Sequence, residues 1–386
     1  MRMNLRTTLS AIALAALAAT STGVPAQAYP YAAEVAGAPA TSSSSTYDSD
    51  GDGIPDSWET QGYDANNDGR VDLDFPAWGA DPMKKDIFVE ADYMQGLMAS
   101  QSELDAIVDT FARYPVPNPN GSQGINLHID AGRIYAGTKY DLGGGEQIPN
   151  VTLQNEVTVG QLRDRYSDPA RHGIFHYMVF GDYYTDAPGS SGIAQINGLN
   201  FAVTLGPTHW GNVSSETTIG TFIHELGHNL GLRHGGNDEV NFKPNYFSIM
   251  NYRYQIKGVP RTDGSRYFGY SDHEYTPLNE QEIYEEDGLG QAARGWLYDY
   301  RPNAHADQPI DFNDSGRIDD GPVRADVNND GYLDTHLSAP NDLRLMRFQA
   351  RARGDYYYGY GAGVLRTEVA DDELTVHEAH SHDLLD

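Results

Sequence analysis

The chain contains no cysteine. That excludes disulfide cross-links, and with them the usual reinforcement of exported proteins. It also excludes a cysteine switch as the means of keeping a precursor inactive. Basic charge is scarce as well: 26 Lys and Arg stand against 55 Asp and Glu, a formal net charge of −29. Such a chain repels phosphate backbones and anionic lipid surfaces, so nucleic acid is not an expected partner. No apolar run reaches the ~20 residues that a membrane-crossing helix needs. With 386 residues the chain is long enough for a substantial core in one or two domains. Stability must then come from that core or from bound metal.

The first residues read as a targeting signal. Arg2 and Arg6 form a basic start, Leu9 to Ala19 a short apolar stretch, and Ala26-Gln27-Ala28 a small-residue cleavage site. Export is therefore expected, with residues 1–28 as the leader. Residues 29–47 are rich in Ala, Ser, Thr and Pro, the composition of a flexible linker, and are too few for a folded inhibitory segment.

Much of the acidic excess has a local cause. Asp48, Asp50, Asp52, Asp56 and Glu59 occupy positions 1, 3, 5, 9 and 12 of a loop with Gly53 at position 6. Calcium takes six to eight oxygens, the glycine permits the sharp turn, position 7 (here Ile54) offers its carbonyl, and a final Glu binds through both oxygens. A second loop has Asp64, Asn66, Asp68, Arg70 and Asp72, with Phe75 where the final Glu would stand. The pairing recurs as Asp311, Asn313, Ser315, Arg317 and Asp319, then Asp326, Asn328, Asp330, Tyr332 and Asp334. The gaps are too short for full helices on both sides of each loop. The four loops resemble thrombospondin type 3 or dockerin-type calcium repeats, which implies calcium-binding modules at 48–75 and 301–340. Without metal, the same residues are ordinary Asp/Asn/Gly turns.

The most specific signal is His224-Glu225-Leu226-Gly227-His228-Asn229-Leu230-Gly231-Leu232-Arg233-His234. It reads H-E-x-x-H-x-x-G-x-x-H, and at this chain's His and Gly content a chance match is about one in ten thousand. Four residues apart on a helix, His224 and His228 share a face and can meet one zinc ion. Glu225 can reach an activated water. His234 lies off the helical repeat, so the chain must turn at Gly231, a residue free to take positive φ. Three protein ligands leave one position open, as in catalytic zinc sites.

Sixteen residues after His234 comes Met250, within Ser248-Ile249-Met250-Asn251-Tyr252. With this second element the chain resembles the metzincin zinc endopeptidases, in which a tight Met-turn follows the histidine motif. The resemblance implies that Met250 lies beneath the metal and that Tyr252 stands near it, as the tyrosine of astacins and serralysins does. The residue after the third histidine is Gly235, followed by Gly236; this departs from astacins, serralysins, matrixins and adamalysins, so no subfamily follows.

Hydrophobic periodicity supplies the elements. Ile87–Ala91, Ile125–Asp130 and Ile174–Phe180 read as strands, Gly192–Asn197 and Asn200–Leu205 as two more. Leu104, Ile107, Val108 and Phe111 mark a helix with Ser102 as N-cap, and Val159–Tyr166 a short one. The zinc helix is expected over about 216–230, and another helix near Asn279–Glu286 after Pro277. The expected class is α+β: a metzincin-like domain over 76–300 with a twisted mixed sheet and an active-site helix, flanked by the calcium-loop modules. The resemblance makes Gly192–Ile196 the antiparallel sheet edge above the cleft, where an extended peptide can add as a strand. The segment 341–386 ends in an acidic tail with His377, His380 and His382, which reads as a solvated end.

The expected function is a secreted zinc endopeptidase acting on proteins or peptides, with zinc and calcium as cofactors and Glu225 and Tyr252 in catalysis. An amidase of cell-wall peptides and a non-catalytic calcium-dependent adhesion or matrix protein are the alternatives. Cleavage preference and oligomeric state are not readable from the chain.

Overall fold

Strand β1, Asp86–Tyr93, is buried at every position, and a sheet extends from it on both sides. The computed structural model describes residues 47–154, 156–348, 368–369 and 373–385. The leader expected at 1–28 and nearly all of the linker lie outside the described residues. Residues 44–386 form one unit by their contacts.

β1 pairs in parallel with β2 (Asn126–Asp130) and β3 (His176–Phe180), and β3 pairs in parallel with β5 (Asn200–Val203). β4 (Gly192–Ile196) is antiparallel to β5. A short strand β8 (Glu368–Val369) adds outside β4, giving the order β2-β1-β3-β5-β4-β8. Both faces of the sheet are covered, so the strands are buried on both sides, including the carboxylates of Asp86, Glu90 and Asp92 in β1. Met178 and Phe180 join the main core with Phe111 of helix α3 (Gln101–Ala112) and Phe222 of helix α5 (Ser215–Asn229). Tyr177 and Val179, pointing the other way, meet Val159 and Leu162 of helix α4 (Glu156–Tyr166).

The N-terminal loops carry helices α1 (Asp56–Gln61) and α2 (Phe75–Trp78). Their Trp58 and Phe75 pack with Phe88 and Phe175, so this region shares a core with the sheet. Past α5 come helix α6 (Tyr252–Gln255), a small hairpin β6–β7 (Val259–Pro260 and Arg266–Tyr267) and helix α7 (Asp342–Leu345).

Three sequence expectations need correction. Ser100, not Ser102, caps α3; it forms a capping box with Glu103, which ties both orphan amides of the first turn. The stretch 279–286 is not an α-helix. It is extended, with bridges Leu278↔Leu337 and Ile283↔Val323 and one 3-10 turn at Glu285–Asp287. The reason lies in Glu280 and Glu285, both buried, which accept backbone N–H groups of the two C-terminal acidic loops instead of facing water. Finally, residues 373–385 are not a solvated end. Leu374, Ala379 and Leu384 are buried in the main core, and Val376–Ser381 form helix α8. The sequence suggested otherwise because acidic and histidine residues outnumber the few apolar anchors there.

Candidate active site

Helix α5 begins at Ser214, whose hydroxyl accepts from the Thr217 amide at 3.1 Å. It runs through the core, so His224, Glu225 and His228 are all fully buried. It ends as the sequence demands: Gly231 takes φ of 92°, and the chain turns so that His234 comes back beside the helix. A Cβ at Gly231 would stand 2.5 Å from the Asn197 side-chain oxygen, so glycine is needed for space as well as conformation.

The three imidazoles form a cluster with ring centroids 4.7, 4.8 and 5.4 Å apart. His224 Nε2 faces His228 Nε2 at 3.1 Å. The opposite ring nitrogens are held outward. His224 Nδ1 donates to the Ile249 carbonyl at 3.0 Å, His228 Nδ1 to the Leu232 carbonyl at 2.8 Å, and His234 Nδ1 lies 3.4 Å from Glu239. Carbonyl and carboxylate partners of this kind fix the tautomer and leave each Nε2 with a lone pair directed into the centre. His234 Nε2 is buried with no hydrogen-bond partner. Burial pushes His228 down to about 3, whereas Glu239 and Glu373 outweigh burial at His234 and raise it to about 9. This donor set fits zinc, which takes imidazole nitrogens in just such a convergent, outward-anchored arrangement.

A fourth donor comes from far along the chain. The carboxylate of Glu373 lies 3.2 Å from His224 Nε2, 3.4 Å from His228 Nε2 and 3.6 Å from His234 Nε2. Ligand atoms of the three histidines and Glu373 all fall within 4.8 Å of one another. Burial resists the charge on Glu373, but the surrounding histidines outweigh it and hold its carboxyl well below the ordinary range. Glu225 is the converse case. Both its oxygens are buried without a hydrogen-bond partner, and burial, then Glu373, push its carboxyl well above the ordinary range.

The segment after the histidines seats the centre. Met250 is fully buried against α5. A Cβ on Gly227 would lie 2.3 Å from the Met250 sulfur, and one on Gly220 would lie 2.0 Å from the Gln255 carbonyl oxygen. These two glycines, seven apart on one face of α5, let residues 249–255 approach the helix. The Tyr252 ring sits 4.5 Å from that of His234, and its hydroxyl is 3.5 Å from Glu373.

Residues 120–235 match the family model described as metallo-peptidase family M12B, reprolysin-like. The match supports a metzincin-type zinc metallopeptidase, a hydrolase of proteins or peptides, as what this part of the chain is similar to. The match ends at Gly235, before Met250 and everything that follows. No curated protein matches the chain at a significant level.

The acidic loops share one wrap. In each, the position-6 glycine has φ between 85° and 93° and donates its N–H to the position-1 Asp: Gly53 to Asp48, Gly69 to Asp64, Gly316 to Asp311 and Gly331 to Asp326. In the first loop Asp52, Glu59 and a residue outside it, Asp86, bring carboxylates together, as do Asp48, Asp50 and Asp52. Glu59 is 2% exposed and neither of its oxygens has a hydrogen-bond partner. In the second pair of loops Glu285 and Glu280 accept the amides at positions 2 and 9; in the first pair the position-2 amides bond to Asp56 and Asp72 and the position-9 amides to the carbonyls of Tyr47 and Tyr63. Asn66, Asp68, Arg70, Asn313, Ser315, Arg317, Asp330 and Tyr332 remain exposed.

Sequence reasoning missed Glu373, Glu239, Asp86 and Gly192. Glu373 lies 149 positions from His224, and no spacing rule spans that distance. Gly192 matters through its missing side chain: a Cβ there would lie 2.2 Å from the Glu225 carboxylate. His377, His380 and His382 form no metal cluster among the described residues. The His382 ring stacks on Phe242, and His380 Nδ1 bonds the Val376 carbonyl.

Among the described residues no helix is long and apolar enough to cross a membrane. A hollow of about 930 Å³ is lined by Glu90, Arg171 and the 142–147 loop, away from the histidines. Its Arg171 is already paired with Asp130 and Glu90, so it reads as structural.

Proposed function

We propose that the chain is an exported zinc-dependent endopeptidase in which Glu225 is the general base and calcium stabilises the fold. The observation that carries the reading is the set of three Nε2 atoms aimed at one point, each backed by an acceptor on its other nitrogen. His224, His228 and His234 would hold the ion. Zinc, when bound, supplies Lewis acidity toward the scissile carbonyl and toward water. Glu225 takes the proton of the attacking water and delivers it to the leaving nitrogen; its raised proton affinity suits a group that must accept and then donate. The Tyr252 hydroxyl, which reaches Glu373 at 3.5 Å, would donate to the oxyanion. The cleft wall would be β4, whose outer edge is held here by Glu368–Val369; freed of them, it would offer backbone groups to an extended chain.

The calcium part rests on the common wrap of the four loops and on Glu59, a buried carboxylate without a partner. Asp86, the first residue of β1, belongs to that ligand cluster. Export rests on the leader-like pattern of residues 1–28.

The test is metal content with peptide cleavage. The Glu225→Ala variant is expected to fold and to bind zinc as the parent does, while casein hydrolysis falls by a factor on the order of 10³ or more. Full activity in that variant, or a chain that binds no zinc, would refute the reading. Cell-wall peptides assayed in parallel separate an endopeptidase from an amidase.

A further inference from the structure

Glu373 does not reach the histidines alone. Residues 368–369 lie along the outer edge of β4, and residues 374–376 along the segment that precedes it. Val369 pairs with Gln195 and Glu368 with Ile196, both antiparallel. Further on, the Ser191 amide donates to the Leu374 carbonyl at 2.9 Å, and the Val376 amide to the Gly189 carbonyl at 2.7 Å. The segment then turns into α8 through a capping box of Thr375 and Glu378. Leu374 and Ala379 are fully buried, Leu384 nearly so, and the Lys257 ammonium donates to the Asp383 carbonyl. The strand edge that an extended peptide would use is thus already paired, by a segment of this chain.

We infer that residues 368–369 and 373–385 form a built-in plug, with Glu373 as a fourth ligand of the metal that His224, His228 and His234 would hold. The inference rests on the zinc-peptidase reading above and adds regulation to it. Zinc sites with four protein ligands are closed and structural, whereas catalytic ones keep a position open. With Glu373 seated, the donor set is of the closed kind; with the segment displaced, it is of the open kind. The same segment covers the β4 edge, so metal access and peptide access are blocked together. This chain has no cysteine to perform such a task, and a carboxylate serves in its place.

The geometry offers a direct test. Ser190 and Thr375 are bridge partners flanked by hydrogen bonds on either side, which makes them a non-hydrogen-bonded antiparallel pair. Cα atoms of such pairs stand about 4.5 Å apart, within the range a disulfide spans. In a chain without other cysteines, Ser190→Cys with Thr375→Cys gives a lock that oxidation closes and reduction opens. Zinc-loaded full-length protein is expected to be inactive on casein when oxidised and active when reduced. If the plug is seated in nine molecules of ten, the unlocked Glu373→Gln variant gains about tenfold in activity. A second readout is independent of turnover: competition with a chromophoric chelator should show Glu373→Gln binding zinc at least about tenfold more weakly than the parent. Equal activity in the oxidised and reduced states, with zinc bound in both, overturns the plug and leaves the peptidase reading standing. Unchanged zinc affinity in Glu373→Gln overturns Glu373 as a ligand. A parent chain that takes up no zinc overturns both readings.

Discussion

Glu225 owes its position to a residue with no side chain. β4 passes so close that only glycine at 192 leaves room for the carboxylate. Gly192→Ala would place a methyl group 2.2 Å from Glu225 Oε1 and 2.6 Å from the Ala202 carbonyl. If Glu225 is the general base as proposed, its displacement by an ångström is expected to lower kcat/KM by about 100-fold, with zinc content unchanged; steady-state kinetics and metal analysis check it. A second single-residue prediction concerns pH. Asp92 is fully buried; burial raises it to about 7, although it accepts from the Tyr177 hydroxyl and the Glu146 amide. A carboxyl raised in the fold binds a proton more tightly there than in the unfolded chain. Its neutral form therefore leaves stability intact below about pH 4, and stability falls as pH rises from there to about 7. Urea unfolding at pH 5 and pH 8 should show this fall in the parent and a smaller one in Asp92→Asn.

At the scale of elements, α5 and the segment 249–255 act as one piece. The Ile249 carbonyl orients His224, the Met250 sulfur fills the notch above Gly227, and the Gln255 carbonyl rests on Gly220. In an open helix Gly→Ala adds ~1 kcal/mol of stability. Here Gly227→Ala is expected to destabilise instead, by about 1–3 kcal/mol of overpacking. Met250→Ala should relieve part of that loss, so the two changes are non-additive in a double-mutant cycle measured by denaturant unfolding. The histidine motif and the turn at Gly231 were legible because helix period and glycine conformation are local rules. The five strands from Asp86–Tyr93 to Asn200–Val203 were legible by their apolar runs, to within a few residues. The stretch 279–286 was not, since Glu280 and Glu285 take their roles from loops 27 to 54 residues away. Glu373 was illegible for the same reason: its partners are fixed by a sheet edge that the sequence does not link to it.

The whole molecule is a cysteine-free chain of strong negative charge whose acidic loops lie at 48–75 and 301–340, on either side of the histidine motif in sequence. Burial and the neighbouring Asp50 raise Asp52 to about 8, a sign that its surroundings disfavour bare carboxylates. Calcium at a hundredfold excess over its dissociation constant would add about 2.7 kcal/mol per site. Removing calcium with a calcium-selective chelator is therefore expected to lower the melting temperature by several degrees, about 2–4 °C per kcal/mol lost. Asp86→Asn should reduce the calcium response, because that residue joins the first loop to β1. An unchanged melting temperature in chelator would remove calcium from the account.

The direction of the segment along β4 carries one more consequence. It runs from Ile196 toward Gly189, amino end first. A peptide that displaces it and adopts the same antiparallel pairing inherits that polarity. Residues upstream of the severed bond then lie over Gln195 and Ile196, and those downstream lie over Gly189 to Ser191. On the proposed reading, preference on the two sides of the cut would rest on separate stretches, β4 on one side and residues 189–191 before it on the other, and each could be altered without rewriting the other.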